Sequence, residues 1–236
     1  MPRADYGSER ELKKQQMSQS TNEAVVMTGG VSAEPGMRVY NQKLGMWVFL
    51  ASEVMFFTGL IGAYIILRFG TDAWALPGIP LEEGGTPLAI QLTALNTFLL
   101  ICSSVTMVKA FAAIEHGDQK GLRLFLVLTV LLGATFVGVQ VFEYIQLAHE
   151  GFLPRCAEEL AAVVPNCNLF GSTFYTMTGF HGTHVSIGVL CLIWVTVKAF
   201  RGAYSRENHG GVEVVGLYWH FVDLVWIILF TIVYLI

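Results

Sequence analysis

Five long apolar runs constrain the fold of this chain more than any other feature of the sequence. They cover roughly residues 44–68, 88–112, 122–148, 171–199 and 214–236. A helix needs roughly 20 residues to cross about 30 Å of hydrocarbon, and each run reaches that length. Strands of a membrane barrel would be only about 10 residues long and would alternate apolar with polar side chains, which these runs do not. We therefore predict an all-α fold, a polytopic transmembrane bundle of five helices.

The composition agrees with a lipid environment. Charged residues make up 14% of the chain, whereas soluble domains carry about 25%. The formal net charge is -4, so the chain lacks the basic field that attracts nucleic acid, and we expect no nucleic-acid partner.

The positions of lysine and arginine predict how the bundle is oriented. Six of these residues precede the first helix or lie at its start, three surround the second connection and three surround the fourth. Only Arg68 and Arg155 lie at the first and third connections. Because cytoplasmic segments are enriched in basic residues, the N-terminus is predicted to be cytoplasmic and the C-terminus exterior.

The chain divides into two parts. Residues 1–41 are polar and are expected to form a mobile cytoplasmic arm, and residues 42–236 form the membrane domain. No apolar segment closely follows the first charges, so we expect no cleaved signal peptide and assign the first helix as an uncleaved anchor.

Four cysteines divide into two kinds. Cys102 and Cys191 lie inside apolar runs, as small core residues do. Cys156 and Cys167 share the third connection, which the orientation places outside, where conditions are oxidising. We predict that they form a disulfide, and the alternative is two free thiols in a surface loop.

Ionisable side chains inside the runs are the candidate functional residues, because such groups are costly in lipid and usually face the bundle interior. From the rise of about 1.5 Å per residue, most of them lie in the inner half of the membrane and are expected in part to meet, while one lies near the outer end. Neither a CxxC nor an HExxH pattern is present, so we expect structural pairing, no bound metal and no catalytic residue. The inner residues are Glu53, His184, His220 and Asp223, the outer one is Glu143, and His181 shares a helix face with His184.

Three strings resemble subunit III of the heme–copper respiratory oxidases. They are SEVMFFTG at 52–59, GSTF followed by TGFHGTHV within 171–185, and YWHFVDLVW at 218–226. Their order also matches, and weaker matches occur at 95–97 and 143–144, so the resemblance covers roughly residues 42–236. The chain is similar to the five-helix bacterial form. Seven-helix members have two more helices before the glutamate-bearing one, and the resemblance implies that another subunit supplies that wall of the family's lipid cleft.

The resemblance implies a non-redox core subunit of a terminal oxidase in the bacterial plasma (inner) membrane. Such subunits pack against subunit I, which holds the hemes and copper and reduces oxygen while protons are translocated. The implied partners are subunits I and II, structural phospholipids, and in some members further small subunits or a respiratory supercomplex. The isolated chain is expected to bind no cofactor and to be inactive. In the complex it supports proton uptake and protects subunit I during turnover.

The family's carbodiimide-reactive glutamate corresponds to Glu53. The resemblance favours a neutral Glu53 facing lipid, and the alternative is a hydrogen-bonded network with a histidine.

Two other functions stay open at this stage. One is an accessory subunit of a related nitric oxide reductase. The other is an independent small-solute or proton transporter, which the buried carboxylates and histidines suggest and which the lack of repeat symmetry disfavours.

Overall fold

The structure, a computed structural model, describes residues 35–71, 74, 76–77, 85–86, 88–164 and 166–235. Within that part of the chain, five helices are long and apolar enough to cross a membrane. The prediction of an all-helical, five-span fold is therefore confirmed. The long helices are α1 (Pro35–Phe69), α2 (Ile90–Glu115), α3 (Gln119–His149), α5 (Cys167–Phe200) and α6 (Gly210–Phe230), which continues as a π-helical turn, Thr231–Leu235.

The connections hold three short elements that the apolar runs do not predict. Between α1 and α2, the two-residue strands β1 (Leu76–Pro77) and β2 (Gly85–Thr86) pair in parallel, with Leu76 opposite Gly85. Between α3 and α5 lies the one-and-a-half-turn helix α4 (Glu158–Val163).

Helix ends depart from the predicted spans. Helix α1 begins at Pro35, about nine residues before the predicted start at 44. Proline suits a first helical turn because it lacks an N–H that would go unpaired there. The predicted arm, residues 1–41, lies outside the described residues except for its last part, which is helical from residue 35.

Helix α3 is capped at its N-terminus by the side chain of Asp118. The Asp118 carboxylate accepts hydrogen bonds from the backbone N–H groups of Lys120 and Gly121, at 3.1 and 3.0 Å. This satisfies two of the free N–H groups at the helix start. Gly117 before it has φ +79°, which glycine adopts without strain.

Four of the long helices form a common core, and α1 packs beside them more loosely. Helix α2 packs against α3 and α6, and α5 packs against α3 and α6. In the most apolar stretch of α6, 50% of the residues are buried, whereas the corresponding figure for α1 is 17%. Most of the α1 surface therefore remains open to lipid or to another chain.

Two ends of the bundle can be distinguished by their connections. The basic end carries the turn at residues 116–118 and the loop at residues 201–209, and the disulfide end carries the loop at residues 150–166. One apolar cluster, with Phe136, Trp219 and Trp226 at its centre, extends toward the basic end. A second, rich in phenylalanine, includes Phe152 and Phe174 and fills the disulfide end.

Trp219 fixes how closely α3, α5 and α6 approach. Its indole lies between two glycines: a Cβ added to Gly133 would stand 2.6 Å from the ring, and one added to Gly188 would stand 3.0 Å from it. The indole N–H donates to the Ser103 hydroxyl on α2, at 3.0 Å. One side chain thus joins four helices, and the glycines make room for it.

Cys156 and Cys167 are joined by a disulfide, with their Cα atoms 6.1 Å apart. The backbone N–H of Cys156 also donates to Asn168 Oδ1 at 2.8 Å, and the Tyr175 hydroxyl donates to the Phe152 carbonyl at 2.7 Å. The loop is therefore tied to the start of α5 at several points. Cys102 and Cys191 carry free thiols in half-buried positions on α2 and α5.

Candidate functional site

Glu53 and His184 form a pair between α1 and α5. Glu53 Oε2 lies 3.0 Å from His184 Nε2, and the two side chains are 18% and 16% exposed. His184 Nδ1 lies 2.7 Å from the Phe180 carbonyl oxygen. Because a carbonyl can only accept, Nδ1 carries a hydrogen, and one further proton is shared between Nε2 and the carboxyl group.

The surroundings of this pair are aromatic and partly open. The Phe57 ring meets the His184 imidazole edge-on at 5.3 Å, and the Tyr218 hydroxyl donates to the His184 carbonyl at 2.9 Å. A cavity of about 500 Å³ adjoins the pair between α1, α5 and α6, and Met46, Phe49 and Tyr218 contribute to its wall. The pair thus borders an open apolar space instead of a packed core.

Glu143 occupies a different environment at the disulfide end. Its Oε1 accepts hydrogen bonds from the Thr93 hydroxyl of α2 at 3.0 Å and from the Tyr234 hydroxyl at 3.2 Å. Glu143 is only 5% exposed. The carboxyl group therefore ties α3 to α2 and to the C-terminal turn.

His181 is fully buried and is separated from His184 in its contacts. Its ring stacks on Trp226, with centroids 4.7 Å apart, and meets Phe136 edge-on at 6.0 Å. Among the described residues, neither ring nitrogen has a hydrogen-bond partner. The shared i, i+3 spacing therefore does not make the two histidines one site.

His220 and Asp223 both face α2. His220 Nδ1 lies 2.6 Å from the Ser104 hydroxyl, and Asp223 lies one turn further along α6. The inner-half carboxylates and histidines therefore divide into two groups. Glu53 meets His184 on one side of the bundle, and His220, one turn from Asp223 on α6, meets Ser104 on another.

Sequence reasoning missed the hydroxyl partners of these groups. Thr93, Ser104 and Tyr234 complete the polar contacts, yet nothing in the apolar runs distinguishes them from other Ser, Thr and Tyr residues. Hydroxyls in membrane helices commonly bond a carbonyl of their own helix, as Thr93 does with Ala89 at 3.0 Å. The contact that Thr93 also makes with Glu143 of another helix depends on how α2 and α3 are rotated about their axes, which only the structure shows.

These helices belong to a multi-pass membrane protein in which Glu53, Glu143 and His220 each have a polar side-chain partner on another segment. In the part of the chain that the structure describes, no group of three His, Cys, Asp or Glu side chains is placed to hold a metal ion.

Comparison with known proteins identifies the family. Residues 22–236 match the family model of cytochrome c oxidase subunit III. Cytochrome c oxidase subunit 3 of Thermostichus vulcanus is 40% identical over 193 residues, 81% of this chain and 86% of the relative. The Synechocystis protein of the same name is 39% identical over 87% of this chain and 78% of the relative. Quinol oxidase subunit 3 of Bacillus subtilis is 33% identical over 81% and 85%.

The chain belongs to the cytochrome c oxidase subunit III family. It is a subunit III of a heme–copper oxidase and a multi-pass protein of the bacterial inner membrane.

Proposed function

We propose that this chain is the non-redox subunit III of an oxidase that takes its electrons from cytochrome c and is assembled with subunits I and II. The support for this donor is that the relatives from Thermostichus vulcanus and Synechocystis, at 40% and 39% identity, are named for cytochrome c, whereas the quinol oxidase relative from Bacillus subtilis is 33% identical.

Purification of the complex with this chain tagged tests both the assignment and the donor. We expect heme-containing subunits to co-purify and oxygen uptake to start on addition of reduced cytochrome c. Uptake driven by a quinol, with none from cytochrome c, would contradict the proposed donor. Absence of heme from the purified material would contradict the assembly.

The orientation belongs to the same proposal. The basic end faces the cytoplasm and the disulfide end faces outside. Seven basic side chains lie around the basic end in the described residues, against Arg68 and Arg155 at the other. Single cysteines placed at Gln119 and at Glu159 test this by labelling of intact cells with an impermeant reagent. Only the one at 159 is expected to react, and labelling at 119 alone would reverse the orientation.

The role of the subunit within the complex is support of subunit I. The observation that carries this proposal is the Glu53–His184 pair, which links the loosely packed helix α1 to α5 beside an open cavity. Such a pair can adjust to a neighbouring subunit without exposing a lone charge to lipid. Deleting the chain is expected to leave an oxidase that turns over but pumps less efficiently or loses activity sooner. An unchanged proton-to-electron ratio with an unchanged lifetime would contradict the role.

The cavity is proposed to hold an acyl chain of a structural phospholipid. Its walls are mostly apolar, and its volume of about 500 Å³ is large enough for such a chain. Ile187→Trp, at the cavity wall, is expected to lower the amount of lipid retained by the purified complex. Ile193→Trp, two turns along α5 and likewise exposed, serves as the control. Equal lipid retention by the two variants would argue against the proposal.

A further inference from the structure

Two further cavities lie on either side of α5. One, of about 270 Å³, lies between α3 and α5, and its wall includes Gln140 and Thr183. The other, of about 210 Å³, lies between α1 and α5, and its wall includes Tyr64 and Thr176. Thr176 and Thr183 are both exposed, so the two cavities open on the surface of the bundle that lipid or another chain covers.

The surface of α5 between these cavities carries small side chains at spacings of four and three residues, each of them exposed or half-exposed. This small-residue face consists of Ser172, Thr176, Gly179, Thr183 and Ser186. It extends for about 21 Å along the helix, at about 1.5 Å per residue. Small residues at such spacings let a second helix approach closely in lipid. The face is therefore long enough for contact with a helix over several turns.

The hydroxyl groups of this face donate to their own helix. Thr183 donates to the Gly179 carbonyl at 2.9 Å, and Ser186 donates to the Gly182 carbonyl at 2.8 Å. Thr176 donates to a carbonyl one turn back in the same way, at 2.7 Å. Because each hydroxyl has a single proton, only its lone pairs are left to face outward.

Gln140 adds an acceptor that no donor reaches. Its side chain is only 6% exposed, and its Nε2 donates to the Thr178 carbonyl at 3.0 Å. Since a carbonyl can only accept, this contact identifies the amide nitrogen. The other amide atom, Oε1, lies beside Gly182, where an added Cβ would stand 3.0 Å from it. Among the described residues, no hydrogen bond to Oε1 is formed.

The neighbouring Tyr144 hydroxyl does not supply this bond. It lies 2.6 Å from Thr178 Oγ1, and Thr178 donates its own proton to the Phe174 carbonyl at 2.7 Å. Tyr144 must therefore donate to Thr178, which uses its only proton. The Gln140 Oε1 atom is thus an unpaired acceptor at the wall of an open cavity, a costly arrangement in an apolar medium.

We propose that the small-residue face docks a transmembrane helix of another chain of the oxidase, and that this helix brings a hydrogen-bond donor to Gln140 Oε1. The donor is a hydroxyl, amide or indole group on a side chain that enters the cavity between α3 and α5. The hydrocarbon of the bilayer holds no such donor. A second copy of this chain does not fit, because Gln140 is recessed and two copies would oppose cavity to cavity. The inference rests on the proposed assembly, which supplies the other chain.

Photo-cross-linking in membranes that contain the whole complex tests the proposal. A photoreactive benzoylphenylalanine replaces Val141, at the cavity wall, or the next residue, Phe142, which points about 100° away around α3 and serves as the control. The two native side chains are 52% and 59% exposed. We expect position 141 to cross-link to a membrane-spanning peptide of another chain, with at least ten times the yield of position 142. Adducts with lipid alone, cross-links to a second copy of this chain, or equal yields at the two positions would overturn the proposal.

Co-purification of the cross-linked chain with this chain, when tagged, is the second readout. Gln140→Leu removes Oε1 and should lower the amount recovered at least threefold. Asn96→Leu is the matched control, because it removes another buried amide bond, from Nδ2 to the Phe136 carbonyl at 3.2 Å, and should leave the amount unchanged. Thr183→Trp, at an exposed position, obstructs the face without altering the core and should lower the amount as well. Equal recovery with Gln140→Leu, Thr183→Trp and the wild type would contradict the proposal.

The two proposals can fail separately. Absence of heme from the purified wild-type material counts against the proposed function. A heme-containing wild-type complex in which position 141 meets only lipid counts against the docking face alone.

Discussion

Two carboxyl groups in this bundle, Glu53 and Glu143, have opposite environments. Glu143 is buried in the four-helix core and accepts hydrogen bonds from two other segments, through Thr93 and Tyr234. Glu53 is partly exposed on the loosely packed helix α1, pairs with His184 and borders a cavity of about 500 Å³. The same residue type within an apolar run therefore links three segments at a buried position in one place and forms a partly exposed pair beside a cavity in the other.

The difference follows from packing. At Glu143 three segments are held in fixed positions by a dense aromatic cluster, so the geometry of the acceptor is determined on all sides. At Glu53 the partner histidine is fixed by its own helix, through the Phe180 carbonyl, while α1 is free on most of its surface. Stability is expected to depend on the first site, and adaptation to other subunits on the second.

The largest effect is expected from Glu143→Leu. This change leaves the buried Tyr234 hydroxyl without its acceptor, and an unsatisfied buried polar group costs about 1–3 kcal/mol. Loss of the link between α2, α3 and the C-terminal turn adds to this, so the Tm of the subunit should fall clearly. Glu143→Gln, which keeps an acceptor oxygen, should retain most of the stability. Equal Tm values for the Leu variant and the wild type would show that Glu143 does not stabilise the bundle by linking these segments.

The disulfide strengthens the same end of the molecule. Closing a loop of this size stabilises a protein by about 2–3 kcal/mol in the chain-entropy model, and the paired cysteines are 11 residues apart. Replacing both Cys156 and Cys167 with serine should lower the Tm, and an unreduced digest of the wild type should contain the linked peptides. Free thiols at both positions, in protein alkylated within intact cells, would refute the bond. Cys102→Ser is the control, because its thiol is free.

Gly133→Ala should give the next largest effect. The added methyl would stand 2.6 Å from the Trp219 ring, which is held by three neighbouring helices. Overpacking of this kind costs about 1–3 kcal/mol. Gly138→Ala on the same helix, where nothing lies within 4 Å of the new methyl, should be neutral or slightly stabilising. Similar Tm values for the two variants would show that the residues around Trp219 rearrange to accommodate the added methyl.

The smallest effect on stability is expected at Glu53. Glu53→Gln keeps one hydrogen-bonding group toward His184 and alters a partly exposed contact of the loosely packed α1. Its free energy of unfolding should lie within about 1 kcal/mol of the wild-type value, as for most changes of a hydrogen bond. A loss as large as that of Glu143→Leu would abolish the distinction between the two sites.

The sequence predicted the five spans because length and hydropathy alone decide whether a helix can cross a membrane. The sequence predicted the ends of the helices less well, because hydropathy does not show how far a helix continues into the polar residues that flank an apolar run. Helix α1 shows this by starting at Pro35, and α4 formed in a loop that has no apolar run.

The candidate residues were found because charged groups in lipid are rare, whereas their partners were not. Depth alone placed Glu53 near His184. The contact of His220 with Ser104 depends on how α2 and α6 are rotated, and a shift of one residue turns a side chain by about 100°. Hydroxyl groups are also too common in these helices for Ser104 to be noticed. Long-range pairing therefore required the packed structure.

The central claim is that Glu53 belongs to a supporting subunit and that electron transfer and pumping are carried out elsewhere in the complex. The most direct measurement is the proton-to-electron ratio of the purified Glu53→Gln oxidase reconstituted in vesicles, together with its labelling by an apolar carbodiimide. We predict that labelling at position 53 is lost, while the variant assembles, reduces oxygen at close to the wild-type rate and still pumps protons. Complete loss of pumping in an otherwise intact Gln variant would contradict this account and place Glu53 on the proton path itself.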